Sequence, residues 1–139
     1  MRNAAVPPLL DFPDAELVAV SWLGANGFNA AAVMPSKPTR PNLVVSRVGG
    51  SPVVKWAVDQ PRLQVDVWGV SKVQARDTAA SALSALYVMP GQAGAAEGAF
   101  VSDVDVTVGL LWQPDDAQNP PIPRYLFEIA VTLRSLFTT

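Results

Sequence analysis

The chain contains no histidine and no cysteine. Without histidine, the commonest general base of enzymes is missing, and a serine triad cannot be assembled in its usual form. Without cysteine, disulfides, thiolate nucleophiles and sulfur-ligated metals are excluded, and the redox compartment stays undetermined. Carboxylates are therefore the only candidates left for acid-base or metal chemistry.

Charge is also scarce, since 16% of the 139 residues are charged, 50% are apolar and the formal net charge is −2. The ten lysines and arginines are spread along the sequence, unlike the clustered cations of a nucleic-acid reader. High apolar content argues against disorder. A small chain with so little charge indicates that other subunits cover part of its surface. We expect residues 1–139 to form one folded domain that self-associates.

The N-terminal stretch MRNAAVPPLLDFPDAE has only a short apolar run, which Pro7 and Pro8 interrupt and acidic residues follow. We predict neither a signal peptide nor a membrane span here, and no membrane partner. The two prolines disfavour helix in the residues before them, so residues 1–10 are expected to form an extended arm. We expect the protein to be made in a cytoplasm.

Two segments are predicted as helices. The first is capped by Asp11 or Asp14 and runs to about Gly24. The second begins sharply at Ser71, where Gln74 three residues later completes a capping box, directly after a strand over PRLQVDVWG. Its inward stripe consists mostly of alanine: Ala75, Ala79, Ala82, Leu83 and Leu86.

Alternating apolar residues predict the strands. Residues 43–48 and 53–58 are expected to form a hairpin with its turn at Gly49 to Pro52, and a further strand covers 63–68. Two long strands over 104–112 and 125–133 are joined by a proline-rich loop. This order predicts an α+β fold, with an antiparallel or mixed sheet of four to five strands and two helices packed on one face.

Four aspartates are the best candidates for chemistry. Asp103 and Asp105 lie on one face of a predicted strand, and Asp115 and Asp116 follow in the next loop. Such carboxylates could hold Mg²⁺ or Ca²⁺. A solvated strand face and a polar turn explain them better, so we predict no metal, no cofactor and no catalytic residue.

Three tryptophans lie in predicted strands. Trp56 and Trp112 follow the core pattern, whereas Trp68 falls with Gln64 and Asp66 on the polar side. Because aromatic residues concentrate at interface centres, Trp68 is the better candidate for a partner contact. In an assembly, the arginines and lysines are natural partners for the many aspartates.

Three segments resemble tail terminator proteins of long-tailed bacteriophages, most of all those of phages infecting actinobacteria. They are LLDFPDAE at Leu9 to Glu16, PRLQVDVWG at Pro61 to Gly69 with the alanine-rich helix after it, and the final strand PRYLFEIAVTLR. The likeness covers nearly the whole chain in element order. It implies a terminator-like fold and a homohexameric ring on the head-proximal end of the tail tube, in the neck of the virion. Such a ring stops tube growth, and its partners are the major tail tube protein and the head-tail connector.

The resemblance and the charge pattern together predict two groups of site residues. Residues that meet neighbouring subunits or partners are Leu10, Asp11, Phe12, Arg47, Lys55, Arg62, Trp68, Asp115, Asp116 and Arg124. DNA must pass through the ring, and six copies at −2 each carry a formal charge of −12. An acidic lining would keep phosphate from sticking. Its predicted members are Asp66, Asp103, Asp105 and Glu128.

Two other functions fit the same sequence. A head-tail connector or stopper protein would form a ring in the same region of the virion but bind portal-side proteins. A small carboxylate-dependent enzyme or ligand-binding domain would instead have a pocket converging on Asp103, Asp105 or Asp115.

Overall fold

The computed structural model describes residues 12–54 and 57–136. Within them, two helices and a five-stranded mixed sheet confirm the predicted α+β fold. The elements in chain order are α1 (Ala15–Ala25), β1 (Ala30–Ala31), β2 (Asn42–Val54), β3 (Val58–Trp68), α2 (Lys72–Tyr87), β4 (Ala99–Trp112) and β5 (Arg124–Ser135). The predicted arm over 1–10, Asp11, Lys55 and Trp56 lie outside the described residues.

The sheet has the strand order β1-β2-β3-β5-β4, in which β1 runs parallel to β2 and every other pair is antiparallel. Val65 in the central strand pairs with Val45 on one side and Phe127 on the other, and all three are fully buried. Because side chains alternate along a strand, these residues share one face. Both helices pack on that face and complete the core.

Each helix begins where its cap predicts. The Asp14 carboxylate accepts the N–H of Leu17 at 3.2 Å, and the Ser71 hydroxyl accepts the N–H of Gln74 at 3.1 Å. The Gln74 side chain reaches back to accept the Val70 N–H at 2.8 Å, one residue before the position of a standard capping box. The predicted alanine stripe of α2 is buried, with Ala75, Ala79, Ala82 and Leu86 wholly inaccessible and Leu83 half-buried.

The turn between β3 and α2 explains why these elements follow each other so closely. A Cβ atom on Gly69 would lie 2.7 Å from the backbone nitrogen of Ala75, so only glycine allows the first turn of α2 to sit this near the strand. Across the helical layer, the Trp22 indole donates to the Ala85 carbonyl at 2.7 Å and ties α1 to α2.

The predicted turn at Gly49 to Pro52 is wrong. Strand β2 continues to Val54, and a bulge at Val48 precedes the two glycines, because Arg47 pairs with Leu63 but Gly49 pairs with Arg62. Glycine is needed there for close approach, since Gly50 has φ +89° and faces the backbone of the paired strand. The segment predicted as a separate strand over 53–58 therefore belongs to the end of one long β2–β3 hairpin.

The fifth strand is β1, which is two residues long and too short to show a period in the sequence. Pro61, predicted to start a strand, lies within β3 instead, and the ladder to β5 passes from Asp59 to Arg62 without pairing Gln60 or Pro61. A proline has no N–H for a ladder, so this gap accommodates it. Neither of the two described helices combines the length and hydropathy needed to cross a membrane.

Candidate functional site

The face of the sheet opposite the helices carries all four residues predicted to line a channel. Asp66 pairs with Leu126 on β5, Asp105 and Asp103 of β4 pair with Ala130 and Thr132, and Glu128 lies beside Gln64. These neighbours alternate with the core residues of the same strands, so the acidic side chains share this face. We call it the open face.

The open face is mixed in charge and not uniformly acidic. Glu128 lies 3.6 Å from the Arg62 guanidinium and accepts the Thr107 hydroxyl at 2.5 Å. Asp103 and Asp105 are exposed near the sheet edge. These two aspartates are thus the acids best placed to meet solvent, and an acidic lining stays a prediction.

Trp68 lies on the open face as its position in the strand predicts, but the chain itself covers it. Its indole N–H donates to Asp115 at 3.0 Å, and the Arg124 guanidinium lies 5.6 Å from the ring centroid. The Gly69 N–H donates to the Pro123 carbonyl at 3.1 Å and brings the 113–123 loop over the ring. With 6% of its surface exposed, Trp68 is not available to a partner in this conformation, contrary to our expectation.

Two carboxylates near this loop have pKa values that shift in opposite directions. Burial raises the pKa of Asp66, although the Gln64 amide donates to it and Arg124 lies nearby, and the Asp115 charge adds to the increase. The Trp68 N–H lowers the pKa of Asp115, assisted by the Ala117 N–H and by the nearby arginines. No local pattern indicated a buried carboxylate here, because Asp66 lies on the polar side of its strand and the Asp115 that contacts its neighbour Trp68 is 47 residues away in the chain.

Arg47, predicted to face a partner, is instead satisfied inside the hairpin. Its guanidinium contacts the Asp59 carboxylate at 2.9 and 3.2 Å and donates to the carbonyls of Gly49 and Gly50 at 3.2 and 3.3 Å. Asp59 is 2% exposed, and among the described residues Arg47 is the cation that pairs with it. Arg47 therefore neutralises a buried acid and holds the bulge, and an interface role for its exposed part stays a prediction.

The other predicted interface residues are dispersed. Phe12 is half-buried ahead of α1, Arg62 and Asp116 are exposed, and Arg124 is half-buried against Trp68. Leu10, Asp11 and Lys55 lie outside the described residues. The structure thus gathers Trp68, Asp115 and Arg124 at one end of the sheet and leaves the remaining candidates apart.

The two edges of the sheet differ in how they are protected. On the β2 side, Leu43 donates its N–H to Asn29 at 2.9 Å next to β1, and the Glu16 carboxylate of α1 accepts the Arg47 N–H at 2.6 Å. Further along, Pro52 has no N–H to offer. The short strand β1 and the Glu16 carboxylate therefore cover the first half of the β2 edge, whereas its second half is uncharged and ends in the exposed Val53 and Val54.

The β4 edge is open over most of its length. Among the described strands, none pairs with its outer side, and only its first residues are touched, by the Gly91 N–H on the Val101 carbonyl at 2.9 Å. The last seven residues of β4 read VTVGLLW and carry no charge. Val106, Val108 and Leu111 are 39%, 39% and 47% exposed. Register irregularities after Val106 and after Val108 interrupt this edge, and the apolar remainder is a template for another strand unless something covers it.

A shallow cleft of about 480 Å³ lies on the helical side of the sheet, between the end of α1 and the start of β2. Its apolar floor is formed by Phe28, Pro41 and Leu43, and Arg40 provides its positive charge. The polar groups of Asn29, Thr39 and Thr78 complete the lining, with Gly27 at the rim. None of the carboxylates considered above contributes to this cleft.

The carboxylates expected of an enzyme are not brought together. Asp105 pairs near the middle of β5, whereas Asp115 follows Trp112 at the far end of β4, about 20 Å away at the rise of a strand. In the described part of the chain, no group of three acidic or metal-ligating side chains could hold a metal ion. Among the described residues, Asp105 and Asp115 therefore do not meet in one pocket, and a pocket at Asp103, Asp105 or Asp115 alone stays a prediction.

A comparison with protein-family models and with curated protein sequences finds no match to this chain.

Proposed function

We propose that this protein is a structural subunit of a phage tail, which forms a hexameric ring on the head-proximal end of the tail tube, ends tube growth and joins the tail to the head connector. The observation that carries the proposal is the pair of unlike sheet edges. A subunit with one free edge and one partly covered edge can join a polymer that grows through strand edges, but it offers no equivalent edge for the next subunit.

The composition of the exposed β4 edge supports a role in assembly. An uncharged run of seven residues with exposed valines and leucine would invite aggregation on a free monomer. Natural edge strands that stay free usually carry lysine, proline or a bulge that turns the edge away. The first half of β2 is covered by β1 and Glu16, whereas β4 is protected only by its register irregularities, so we assign the partner to β4.

The tail tube as partner and the ring as assembly are taken from the sequence resemblance. Head-to-tail contacts between unlike surfaces close into rings when the rotation between copies allows it. Asp103, Asp105 and the Arg62–Glu128 pair on the open face would then face either the lumen or an adjacent layer. No covalent chemistry is needed for this function.

The proposal is tested by adding the purified chain to the tail tube protein encoded in the same genome while the tubes polymerise. Substoichiometric amounts should shorten the tubes, as measured by electron microscopy of their length distribution. Val108→Lys should weaken this effect, because it places a charge on the open edge. Leu17→Lys is the matched control, since Leu17 is also exposed (50%) but lies on α1.

Tubes of unchanged length at all ratios would contradict the terminator function. If the wild-type chain leaves tube length unchanged but binds purified portal-side neck proteins, it is a connector or stopper. If both lysine variants act like the wild type, the tube does not contact the β4 edge.

A further inference from the structure

We propose that the cleft between α1 and β2 is the docking site for residues 6–11 of a neighbouring copy of this chain, an inference that rests on the proposed ring. These residues read VPPLLD and precede the described part of the chain, which starts at Phe12. The segment would place its apolar side chains on the cleft floor and its carboxylate next to Arg40.

The chemistry of the cleft fits such a segment. The Phe28 ring and the Pro41 and Leu43 side chains give an apolar floor to a cleft of about 480 Å³. Proline-rich segments prefer an extended conformation and dock in aromatic-lined grooves at low entropic cost. Pro7 and Pro8 provide that property here.

Charge selects which part of the N-terminal segment fits. Arg40 donates to the Asn42 side chain at 2.6 Å through one nitrogen, and it also lines the cleft. Asp11 would bring a negative charge to this guanidinium, whereas Arg2 would bring a second positive one. Complementary charge therefore favours residues near Asp11 over residues near Arg2.

Reach decides between the same copy and a neighbour. The cleft lies beyond the C-terminal end of α1, whereas Phe12 precedes its N-terminal end. Eleven helical residues span about 16 Å, and an extended residue covers about 3.5 Å. About five extended residues before Phe12 are needed to cover the length of α1. Asp11 directly precedes Phe12, so it cannot reach the cleft of its own chain. Only another copy can place it there.

The contact is head-to-tail, because the start of α1 in one copy meets the end of α1 in the next. Such an unlike pair of surfaces repeats around a ring and needs no two-fold axis. It also leaves the open edge of β4 free for the tail tube. The two surfaces can therefore be tested separately.

Because the chain has no cysteine, a designed disulfide gives a direct test. Leu10→Cys combined with Thr78→Cys on the cleft wall should, under oxidising conditions, give a ladder of covalently linked chains on a denaturing gel. Leu10→Cys with Ser84→Cys, which is exposed elsewhere on α2, is the matched control and should stay unlinked. A linked monomer would show docking within one chain, and no linkage would show an empty cleft. Either result overturns the proposal.

Charge reversal gives a second, independent test in the full chain. Arg40→Glu and Asp11→Arg should each weaken self-association at least about tenfold, measured by sedimentation, and the double variant should restore it to within about threefold. Lys37→Glu, in the same loop but outside the cleft lining, should leave association unchanged. Unfolding temperatures close to the wild type confirm that the variants fold. Single variants that associate normally, or a double variant without recovery, overturn the proposal.

The two proposals fail in different ways. Wild-type rings that shorten tubes but show no Leu10–Thr78 linkage would refute the docking site and leave the terminator function standing. A wild-type chain that shows the linkage but never limits tube length would refute the terminator function alone.

Discussion

Replacing Arg47 by methionine removes the cation that neutralises the buried Asp59. The two guanidinium contacts at 2.9 and 3.2 Å would be lost, and the carboxylate, which is 2% exposed, would keep only the Gln60 N–H at 3.0 Å. Breaking a buried ion pair costs about 3–5 kcal/mol. The Arg47 side chain is 37% exposed, so water can reach the site and we expect a loss of about 2–3 kcal/mol.

Thermal unfolding followed by circular dichroism measures this loss. At about 2.1 cal/mol/K of unfolding entropy per residue, the expected decrease in Tm is about 7–10 °C. Arg47→Met with Asp59→Asn should recover about 1–2 kcal/mol, because a buried neutral amide costs less than a buried unpaired charge. Arg62→Met is the matched control, since its pair with Glu128 is 3.6 Å long and the arginine is 48% exposed. It should change stability by less than about 1 kcal/mol. An Arg47→Met variant within about 0.5 kcal/mol of the wild type would refute the argument.

Three further predictions concern the hairpin, the buried carboxylate and the open edge. Gly50→Ala should lower the free energy of unfolding by about 2 kcal/mol or more in a denaturant titration, because Gly50 has φ +89° and the new Cβ would overlap the Gln60 carbonyl. Gly24→Ala is the control and should be neutral or stabilising, because its Cβ meets nothing within 4 Å. Asp66→Asn should raise the free energy of unfolding at pH 7. The pKa of Asp66 is raised on folding, so protonation favours the folded state, and the wild type gains stability as the pH falls until the gain is complete below pH 3.8. The difference in stability between the wild type and Asp66→Asn should therefore shrink as the pH falls. A constant difference from pH 7 to pH 3 would contradict this. Val108→Lys should leave the Tm within about 2 °C of the wild type and should reduce the light scattering of concentrated samples. Unchanged scattering would mean that the β4 edge does not mediate self-association.

Local signals predicted the elements whose causes lie close together in the sequence. The caps at Asp14 and Ser71 and the alanine stripe of α2 depend on residues within a few positions, and the structure has them as expected. The long strands β4 and β5 alternate clearly over ten or more residues. These features were sufficient to give the α+β fold.

Features that depend on distant partners were not predictable in this way. A glycine pair before a proline is typical of a turn, but Gly49 and Gly50 lie within a strand, just after a bulge, because β3 continues opposite them. Trp68 was placed on the correct face, yet its burial depends on Asp115, 47 residues further along. Arg47 looked like a surface charge because nothing in the sequence links it to Asp59.

The contrast between the β2 and β4 edges also needed the fold, because strand order cannot be derived from alternation. The sequence places β2, β3, β4 and β5 in line, whereas the sheet puts β5 between β3 and β4. As a result β4, with its uncharged second half, is an outer strand of the sheet. No local pattern in residues 99–112 distinguishes an outer strand from an inner one.

The anchoring of the β2–β3 hairpin has a mechanical consequence. Strand β3 runs from the hairpin end at Val58 to the centre of the sheet, and Arg47 fastens the two arms together just where β5 stops pairing at Asp59. A force applied to the hairpin would therefore be transmitted along β3 to the sheet beneath both helices. In the ring proposed above, this strand would be the path along which load crosses the subunit.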